Sequence, residues 1–352
     1  MNLSVFDLIT AENVVAYWLE KNVNDQPMLG ETLFPIKKDI GIKLDWIKGA
    51  NNQPIGLRLA AYDTKAIRRD RKGFEEYQTT MPFFKESKYV DEEMRQKINT
   101  LIGSNNKAVI NQLLAEIFDD VMELIDAAKI TLERMRMEAL SEGTITLASN
   151  GQAYAYDYEI PAGNKLTASV DWSNPNADII KEINDIKRDA KAQGVDLVKA
   201  ICNSSVVDYI VKNKAIVNQI YVLAQGAISS VSTERALSYL QQETGITFYS
   251  YDNVYVDETT GNAVKYMKDD TVVFLPAGTL GNTHLGTTPE ESDLMAGRNA
   301  DANVSIVNTG IAVTTYGTVD PVNKEMKVSM VALPSFERAN EVYILKVVDT
   351  TI

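Results

Sequence analysis

The one histidine of this chain, His284, is the residue with the most versatile chemistry in the sequence. It lies between glycines in the segment LGNTHLG (280–286), where an imidazole could act as a general base. No serine or cysteine nucleophile that such a base could activate stands nearby in a recognisable nucleophile elbow. The sequence therefore predicts that His284 is not catalytic.

The other chemically active residues also lack the partners that catalysis or ligand binding requires. The single cysteine, Cys202, has no Cys-x-x-Cys partner, and the glycine motifs for phosphates and dinucleotides and the His-Glu-x-x-His zinc motif do not occur. Asp119 and Asp120 are adjacent on a predicted helix, so they do not share a face. Asp257 and Glu258 lack the spacing of a calcium loop. We predict no catalytic residue, no metal ligand and no cofactor.

Composition places the chain among proteins with a substantial buried core. Its 352 residues are 45% hydrophobic and 24% charged, which allows one large core or two smaller ones. No stretch approaches the roughly 18 consecutive apolar residues of a membrane span, and the first residues do not resemble a secretory signal. A single cysteine fits folding in a reducing cytoplasm. We therefore expect no contact with a membrane.

Charge is distributed unevenly along the chain. The net charge of −13 argues against a protein that coats nucleic acid, since phosphate binding needs a basic surface. Residues 37–72 nevertheless hold ten basic and four acidic residues, a charge of +6 that leaves −19 for the rest. This basic segment can pair with an acidic surface on another copy, and a solvated loop without a partner is the alternative. The residues predicted to contact a neighbouring subunit are Lys37, Lys38, Lys43, Trp46, Lys48, Arg58, Arg68, Arg69, Arg71 and Lys72.

Two elements near the N-terminus differ in their apolar pattern. Residues 3–20 carry apolar side chains at helical spacing, which predicts an amphipathic arm with Thr10 as an internal cap. At 40–46 apolar residues in even positions alternate with others, and the alternation resumes at 55–59 after a turn at 49–54. This predicts a two-stranded ribbon with one covered face. Because a lone hairpin is marginally stable in water, we expect this chain or a neighbour to supply the cover.

The strongest periodic signal lies between residues 106 and 141. Apolar residues recur there every three or four positions without proline or glycine, and Gly143 follows as the predicted stop. A helix of roughly 36 residues would be about 54 Å long. A coiled coil and a bundle helix are alternatives, but one such helix is present and its stripe has no strict heptad. We therefore predict a single spine helix across a domain.

The rest of the sequence predicts a mixture of helices and strands. The turn residues at 149–151 and 257–262 each separate two β-type segments, which predicts two hairpins. Further helices are predicted at 174–192, 205–213 and 232–243, and further strands at 200–203, 327–333 and 343–348. No internal repeat or low-complexity linker is present. The fold class that these elements predict is α+β.

The order of these elements resembles the HK97-like fold of the lambda-type major head protein family of tailed bacteriophages. Segments similar to that family occur in order along nearly the whole chain. They are PMLGETLFP (27–35), RRDR (68–71), TMPFFKE (80–86), VVFLPAGTLGNT (272–283) and LGTTPEE (285–291). The first two stand before and after the ribbon, the third leads towards the spine helix, and the last two follow the second hairpin.

This resemblance implies a division of the chain into an arm, a loop and two domains. Residues 1–35 would form the N-terminal arm, and 36–85 an extended loop that lies over a neighbouring subunit. The peripheral domain would contain 86–174 and 326–352, with the spine helix at 106–141, and the axial domain would contain 175–325. The lysine–asparagine cross-link of some relatives is not carried over, because nothing in the sequence singles out a pair.

The resemblance also implies a function: a major capsid protein, not an enzyme, whose copies assemble as hexamers and pentamers into an icosahedral shell around phage DNA. Scaffolding, portal and decoration proteins are the further candidate partners, and double-stranded DNA would touch the acidic inner wall only weakly. The expected location is the virion, after assembly in the host bacterial cytoplasm. The alternatives are an encapsulin-like nanocompartment shell, another phage structural protein and an α/β enzyme with a pocket.

Overall fold

The computed structural model describes residues 9–22, 26–48, 75–103, 107–221, 230–257, 260–298 and 302–349. The helices are α1 (Ala11–Lys21), α2 (Leu29–Leu33), α3 (Glu92–Gly103), α4 (Lys107–Glu142), α5 (Ile179–Ala192), α6 (Ser204–Lys212), α7 (Lys214–Ile220), α8 (Thr233–Thr244) and α9 (Pro289–Met295). The strands up to the long helix and its following hairpins are β1 (Ile36–Lys38), β2 (Lys43–Lys48), β3 (Glu75–Thr80), β4 (Phe83–Val90), β5 (Thr144–Ser149), β6 (Gln152–Asp157), β7 (Lys165–Thr167) and β8 (Leu197–Cys202). The later strands are β9 (Thr247–Ser250), β10 (Val254–Val256), β11 (Ala263–Lys265), β12 (Thr271–Pro276), β13 (Asn282–Leu285), β14 (Asn303–Val307), β15 (Ile311–Gly317), β16 (Lys324–Ser335) and β17 (Tyr343–Lys346).

The chain divides into two compact units. The first contains Met1–Asp45, Gln78–Met135 and Asn282–Ser335, and the second contains Trp46–Tyr77, Arg136–Gly281 and Phe336–Ile352. The predicted domain boundaries differ from this division in the C-terminal third. β16 belongs to the sheet of the first unit and β17 to the sheet of the second, although the sequence grouped both strands in one domain.

The first unit is built on a mixed sheet with the strand order β1-β13-β16-β15-β14, to which β4 adds beside β16. The long strand β16 pairs with β4 along Lys324–Val331 and with β13 along Ala332–Ser335. The pairing of β1 with β13 is parallel, and the other pairs are antiparallel. The second half of β16 is continuously buried, which explains its apolar sequence.

The long helix α4 confirms the predicted spine helix, since it runs unbroken for 36 residues. Most of its length, up to Met135, belongs to the first unit. The predicted stripe is buried there at Ile117, Val121, Ile125, Leu132 and Met135. The helix ends as the sequence predicted. Gly143 has a φ of +76° and donates its amide hydrogen bond to the carbonyl of Ala139, a geometry that favours glycine.

The second unit is built on a five-stranded sheet with the order β7-β17-β12-β8-β9. All six residues of the central strand β12 are buried, as expected for a strand covered on both faces. The core around it includes Trp172, Ile183, Ile210, Leu240 and Phe274. The indole of Trp172 donates a 2.7 Å hydrogen bond to the carboxylate of Glu182 on α5, so the buried polar atom is satisfied.

Both predicted hairpins are present in the second unit. β5 and β6 pair through a turn in which Asn150 and Gly151 have φ values of +50° and +74°, the left-handed pair of a type I′ turn. β10 and β11 pair around a loop in which the Asp257 carboxylate accepts a 2.8 Å bond from the Thr260 amide. Their turn chemistry was therefore sufficient to predict them.

The predicted start of the ribbon is wrong by three residues. β2 begins at Lys43, and Ile40 and Ile42 are exposed instead of lying on a covered face with Leu44 and Trp46. The reason is that Gly41 has a φ of +91° and exchanges hydrogen bonds with Thr287, so the chain there follows the end of β13. β2 pairs with β3, while the predicted turn and second strand at 49–59 lie outside the described residues.

Thr10 is a helix cap, as predicted: its hydroxyl accepts a hydrogen bond from the Asn13 amide at 3.2 Å at the beginning of α1. The start of the arm predicted at residue 3 lies outside the described residues. One predicted helix start is wrong. The helix predicted from 174 begins at Ile179, where Asp178 is the cap and accepts from the Lys181 amide. No helix in the described ranges is both long enough and apolar enough to span a lipid bilayer.

Candidate functional site

Lys37 and Lys43 are the members of the predicted contact set that lie exposed on the first unit. Lys37 is the middle residue of β1, and Lys43 is the first residue of β2. The arginines and the lysine at the far end of the set lie outside the described residues: Arg58, Arg68, Arg69, Arg71 and Lys72. A contact of these residues with a neighbouring subunit stays a prediction.

Lys38 makes its polar contacts inside the first unit. Its ammonium group lies 2.6 Å from the carboxylate of Glu291 on α9 and 2.9 Å from the carbonyl oxygen of Gly286. Glu291 is buried, and its amide donates to the Thr288 hydroxyl that caps α9. The pair therefore attaches β1 to α9, which the sequence alone could not show because the partners are 253 residues apart.

Trp46 and Lys48 make contacts inside the second unit. The ammonium of Lys48 is buried and donates a 2.8 Å hydrogen bond to the carbonyl oxygen of Glu159. The ring of Trp46 lies 6.1 Å from that of Tyr158, which packs edge-on against Phe336. These side chains attach the end of β2, from Trp46 onwards, to the rest of the second unit.

His284 is buried and has polar partners that the sequence analysis did not find. Its Nδ1 lies within hydrogen-bonding distance of the Asp39 carboxylate, and its Nε2 lies 2.9 Å from the Ser335 hydroxyl. This Asp–His–Ser order is also that of hydrolase triads, but the exposed fractions of His284 and Ser335 are 2% and 0%. No substrate can approach them in this packing. The three residues instead connect the end of β1 to β13 and β16 within one sheet.

We expect His284→Ala to lower the free energy of unfolding by about 2 kcal/mol, because the half-buried Asp39 carboxylate and the buried Ser335 hydroxyl both lose a hydrogen-bond partner. Urea unfolding followed by tryptophan fluorescence measures the change. His284→Gln, which can retain one of the two bonds, is the matched control and should lose about half as much. If His284→Ala unfolds at the same urea concentration as the parent chain, the network contributes nothing to stability.

The arm helix α1 is attached to α4 by polar contacts as well as apolar ones. Asp119 accepts hydrogen bonds from the Lys21 ammonium at 2.8 Å and the Tyr17 hydroxyl at 3.1 Å. The bond from Lys21 is the main cause of a lowered pKa for the Asp119 carboxyl. The Lys129 ammonium lies 4.6 Å from the Trp18 ring. Asp119 therefore serves to hold α1, whereas its neighbour Asp120 pairs with Lys88 on β4 at 2.9 Å.

The remaining reactive groups are poorly placed for chemistry. Burial raises the pKa of the Cys202 thiol to about 12, so the thiolate that reacts with electrophiles is scarce at neutral pH. In the ranges that the structure describes, no three acidic, histidine or cysteine side chains converge as metal ligands would.

The carboxylate of Glu290 binds side chains of β16 in the first unit. Its burial raises its pKa, but the hydrogen bonds from Lys327 and Ser329 outweigh this and lower it.

Comparisons with known proteins identify a family and a fold. The sequence profile of phage major capsid protein E matches residues 15–347. Among solved structures, a protein assigned as the capsid protein of a prophage of Escherichia coli CFT073 has 15% sequence identity and a TM-score of 0.58. The alignment covers 97% of this chain and 99% of that one. A phage-related protein of Bordetella bronchiseptica RB50 has 10% identity and a TM-score of 0.55, with 94% and 96% covered. No curated protein has significant sequence similarity to the chain.

Proposed function

Because this chain belongs to the phage major capsid protein E family, we propose that its copies assemble as hexamers and pentamers into an icosahedral head shell around phage DNA. The family and its HK97-like fold are those of structural proteins, so the chain forms a virion shell by self-association and is not an enzyme. The observation that carries the proposal is the family match over residues 15–347. It favours the head shell over a nanocompartment, another phage structural module or an enzyme.

We infer that the extended loop, residues 36–85, lies over a neighbouring subunit and pairs its basic residues with that subunit's acidic surface. The charge of +6 in residues 37–72 against −19 in the remainder supports this arrangement. Lys37 and Lys43 are exposed and able to reach a neighbour, whereas Lys38, Trp46 and Lys48 fix the base of the loop. The base of the loop would thus be attached to its own chain, and its exposed basic residues would face the neighbouring subunit.

We also propose roles for the two compact units. The first unit, with most of the spine helix, would be the peripheral domain, and the second would be the axial domain at the capsomer centre. The strand pairing of β16 and β17 supports drawing the boundary between them at residues 281/282 and 335/336. The arm would then be residues 1–35, as the resemblance implies.

The remaining partners follow from the charge and the family. The acidic remainder suits an inner wall that repels packaged double-stranded DNA and holds it only by weak non-specific contact. Scaffolding, portal and decoration proteins are the proposed further partners in the shell, and the host bacterial cytoplasm is the proposed place of assembly.

Charge reversal at the exposed lysines of the loop tests this function. We expect Lys37→Glu with Lys43→Glu to raise the protein concentration at which shells form by about tenfold, because losing roughly 1.4 kcal/mol of pairing per subunit changes an equilibrium by that factor. Negative-stain electron microscopy over a range of protein and salt concentrations measures the threshold. The difference from the parent chain should shrink as salt screens the charges.

The matched control reverses two exposed lysines of the second unit, Lys191→Glu with Lys214→Glu, for the same change in net charge. Its threshold should stay near that of the parent chain. Equal thresholds for both variants would remove the special role of the loop lysines. A parent chain that forms no rings or shells under any condition, even with scaffolding protein, would contradict the assembly itself.

A further inference from the structure

Where the extended loop leaves the sheet of the first unit, the chain crosses closely over Gly286. The Gly41 carbonyl oxygen accepts a 2.9 Å hydrogen bond from the Thr287 amide. A Cβ atom on Gly286 would lie 2.5 Å from that oxygen and 2.9 Å from a methyl group of Val331. Gly41 and Val331 therefore lie on the same side of Gly286, with no room for a side chain between them.

Three large apolar side chains surround this crossing and remain exposed. Ile40 and Ile42, which flank Gly41, have exposed fractions of 93% and 51%. Phe83 is 41% exposed and stands opposite Val331 in the antiparallel pairing of β4 with β16, at about 5 Å between Cβ atoms. We name Ile40, Ile42 and Phe83 the hinge patch.

Two lysines contribute cationic groups at the edge of the hinge patch. Lys43 follows Ile42 and is exposed, and the ammonium of Lys85 lies 5.7 Å from the centre of the Phe83 ring. An apolar surface with cationic edges fits a partner that is apolar with anionic edges, since like charges at a rim repel and unlike charges steer association. The chain outside 37–72 carries −19 and can supply such a surface itself.

Two described sites on this chain expose that chemistry. On α9, Leu294 and Met295 are exposed beside Asp293, and in the turn between β15 and β16 Val319 is exposed beside Asp320. A contact between different surfaces of identical chains is heterologous, the type that generates rings when the rotation closes. The hinge patch and these acidic apolar sites contain different residues, so a contact between them on two copies would be heterologous.

We propose that the hinge patch is an interface between copies of this chain, which binds an acid-edged apolar surface of the next subunit. The inference rests on the proposed function. It adds an apolar contact at the base of the extended loop to the ionic contacts proposed for the basic residues along that loop. Burial of large apolar side chains is the main favourable term in association, so this contact would strengthen assembly more than any single charge pair.

The test replaces Ile40, Ile42 and Phe83 by serine in one variant and measures shell formation by sedimentation velocity and electron microscopy. We expect the concentration threshold to rise at least tenfold, with unchanged far-ultraviolet circular dichroism because the three side chains are exposed. Leu19→Ser with Ile130→Ser removes exposed apolar side chains elsewhere in the first unit and is the matched control. A triple variant that assembles as readily as the control overturns the hinge patch while leaving the capsid function standing, whereas a parent chain that does not self-associate overturns both.

A cross-linking measurement identifies the partner directly. Cys202 is fully buried, so Ile42→Cys provides an accessible thiol for a benzophenone maleimide in shells mixed from ¹⁴N- and ¹⁵N-labelled chains. We expect cross-linked peptides that combine the two isotopes and contain acidic apolar segments such as 293–295 or 319–322. Products formed exclusively within single chains would overturn the proposal.

Discussion

Gly286→Ala is expected to lower the free energy of unfolding of the first unit by about 3 kcal/mol and to loosen the base of the extended loop. The new methyl group would lie 2.5 Å from the Gly41 carbonyl oxygen and 2.6 Å from the terminal methyl of Met81. Met81 can move, but the Gly41 backbone is held by two hydrogen bonds to Thr287. Overpacking of this kind costs roughly 1–3 kcal/mol, and the added loss of those hydrogen bonds places the expected value at the upper end.

Hydrogen–deuterium exchange measures where the loss occurs. Amides of 36–43 and 285–290 should exchange faster in Gly286→Ala, and amides of the second unit should not change. Gly163→Ala is the control, because a Cβ there would meet no atom within 4 Å and its backbone is not left-handed. Unchanged exchange at the Gly41 and Thr287 amides would mean that the chain crossing adapts to a methyl group without cost.

The sequence was most informative where the signal was long or the turn chemistry was specific. The 36 residues of α4 repeat one apolar stripe over many turns, and no other element competes for that pattern. Asn150–Gly151 needs two left-handed residues, so few other structures suit it. These features depend on residues close together in the chain, and that is why the spine helix and hairpins could be predicted.

Contacts between distant segments could not be predicted in the same way. Asp39, His284 and Ser335 are brought together by the pairing of β1, β13 and β16, and no local pattern contains that pairing. Alternation at Ile40 and Ile42 looked like a covered strand, yet the left-handed Gly41 directs the chain along Thr287 instead. Period-two alternation shows that a strand is possible but carries no information on which sheet it joins.

The same limit explains why predicted inter-subunit residues divide into two groups. Charge and spacing selected Lys37, Lys38, Lys43 and Lys48 as equals. Lys38 and Lys48 instead meet Glu291 and the Glu159 carbonyl, partners more than 100 residues away. Only the fold separates the lysines that are bonded within the chain from Lys37 and Lys43, which remain exposed.

We expect Glu133→Ala to destabilise the protein about as much as Gly286→Ala does. The effect should fall on the N-terminal arm and not on the extended loop. The Glu133 carboxylate has an exposed fraction of 0% and accepts a 2.8 Å hydrogen bond from the Gly30 amide at the start of α2. The cap residue of α2, Met28, offers no side-chain acceptor, so Glu133 on α4 performs that role from outside the helix. Removing the Glu133 side chain takes this acceptor from the buried Gly30 amide and creates a cavity. Together these changes should lower the free energy of unfolding by about 3 kcal/mol.

The consequence should be local release of the arm before global unfolding. Limited proteolysis should cut Glu133→Ala within 26–34 under conditions in which the parent chain is intact. Glu133→Gln retains an acceptor oxygen of nearly the same shape and should lose only about 1 kcal/mol, and Glu116→Ala, at an exposed site on the same helix, should lose less than about 0.5 kcal/mol. If the alanine and glutamine variants at Glu133 behaved alike, the hydrogen bond to Gly30 would not be what holds α2, and apolar packing around Leu33 and Phe34 would have to hold the arm instead.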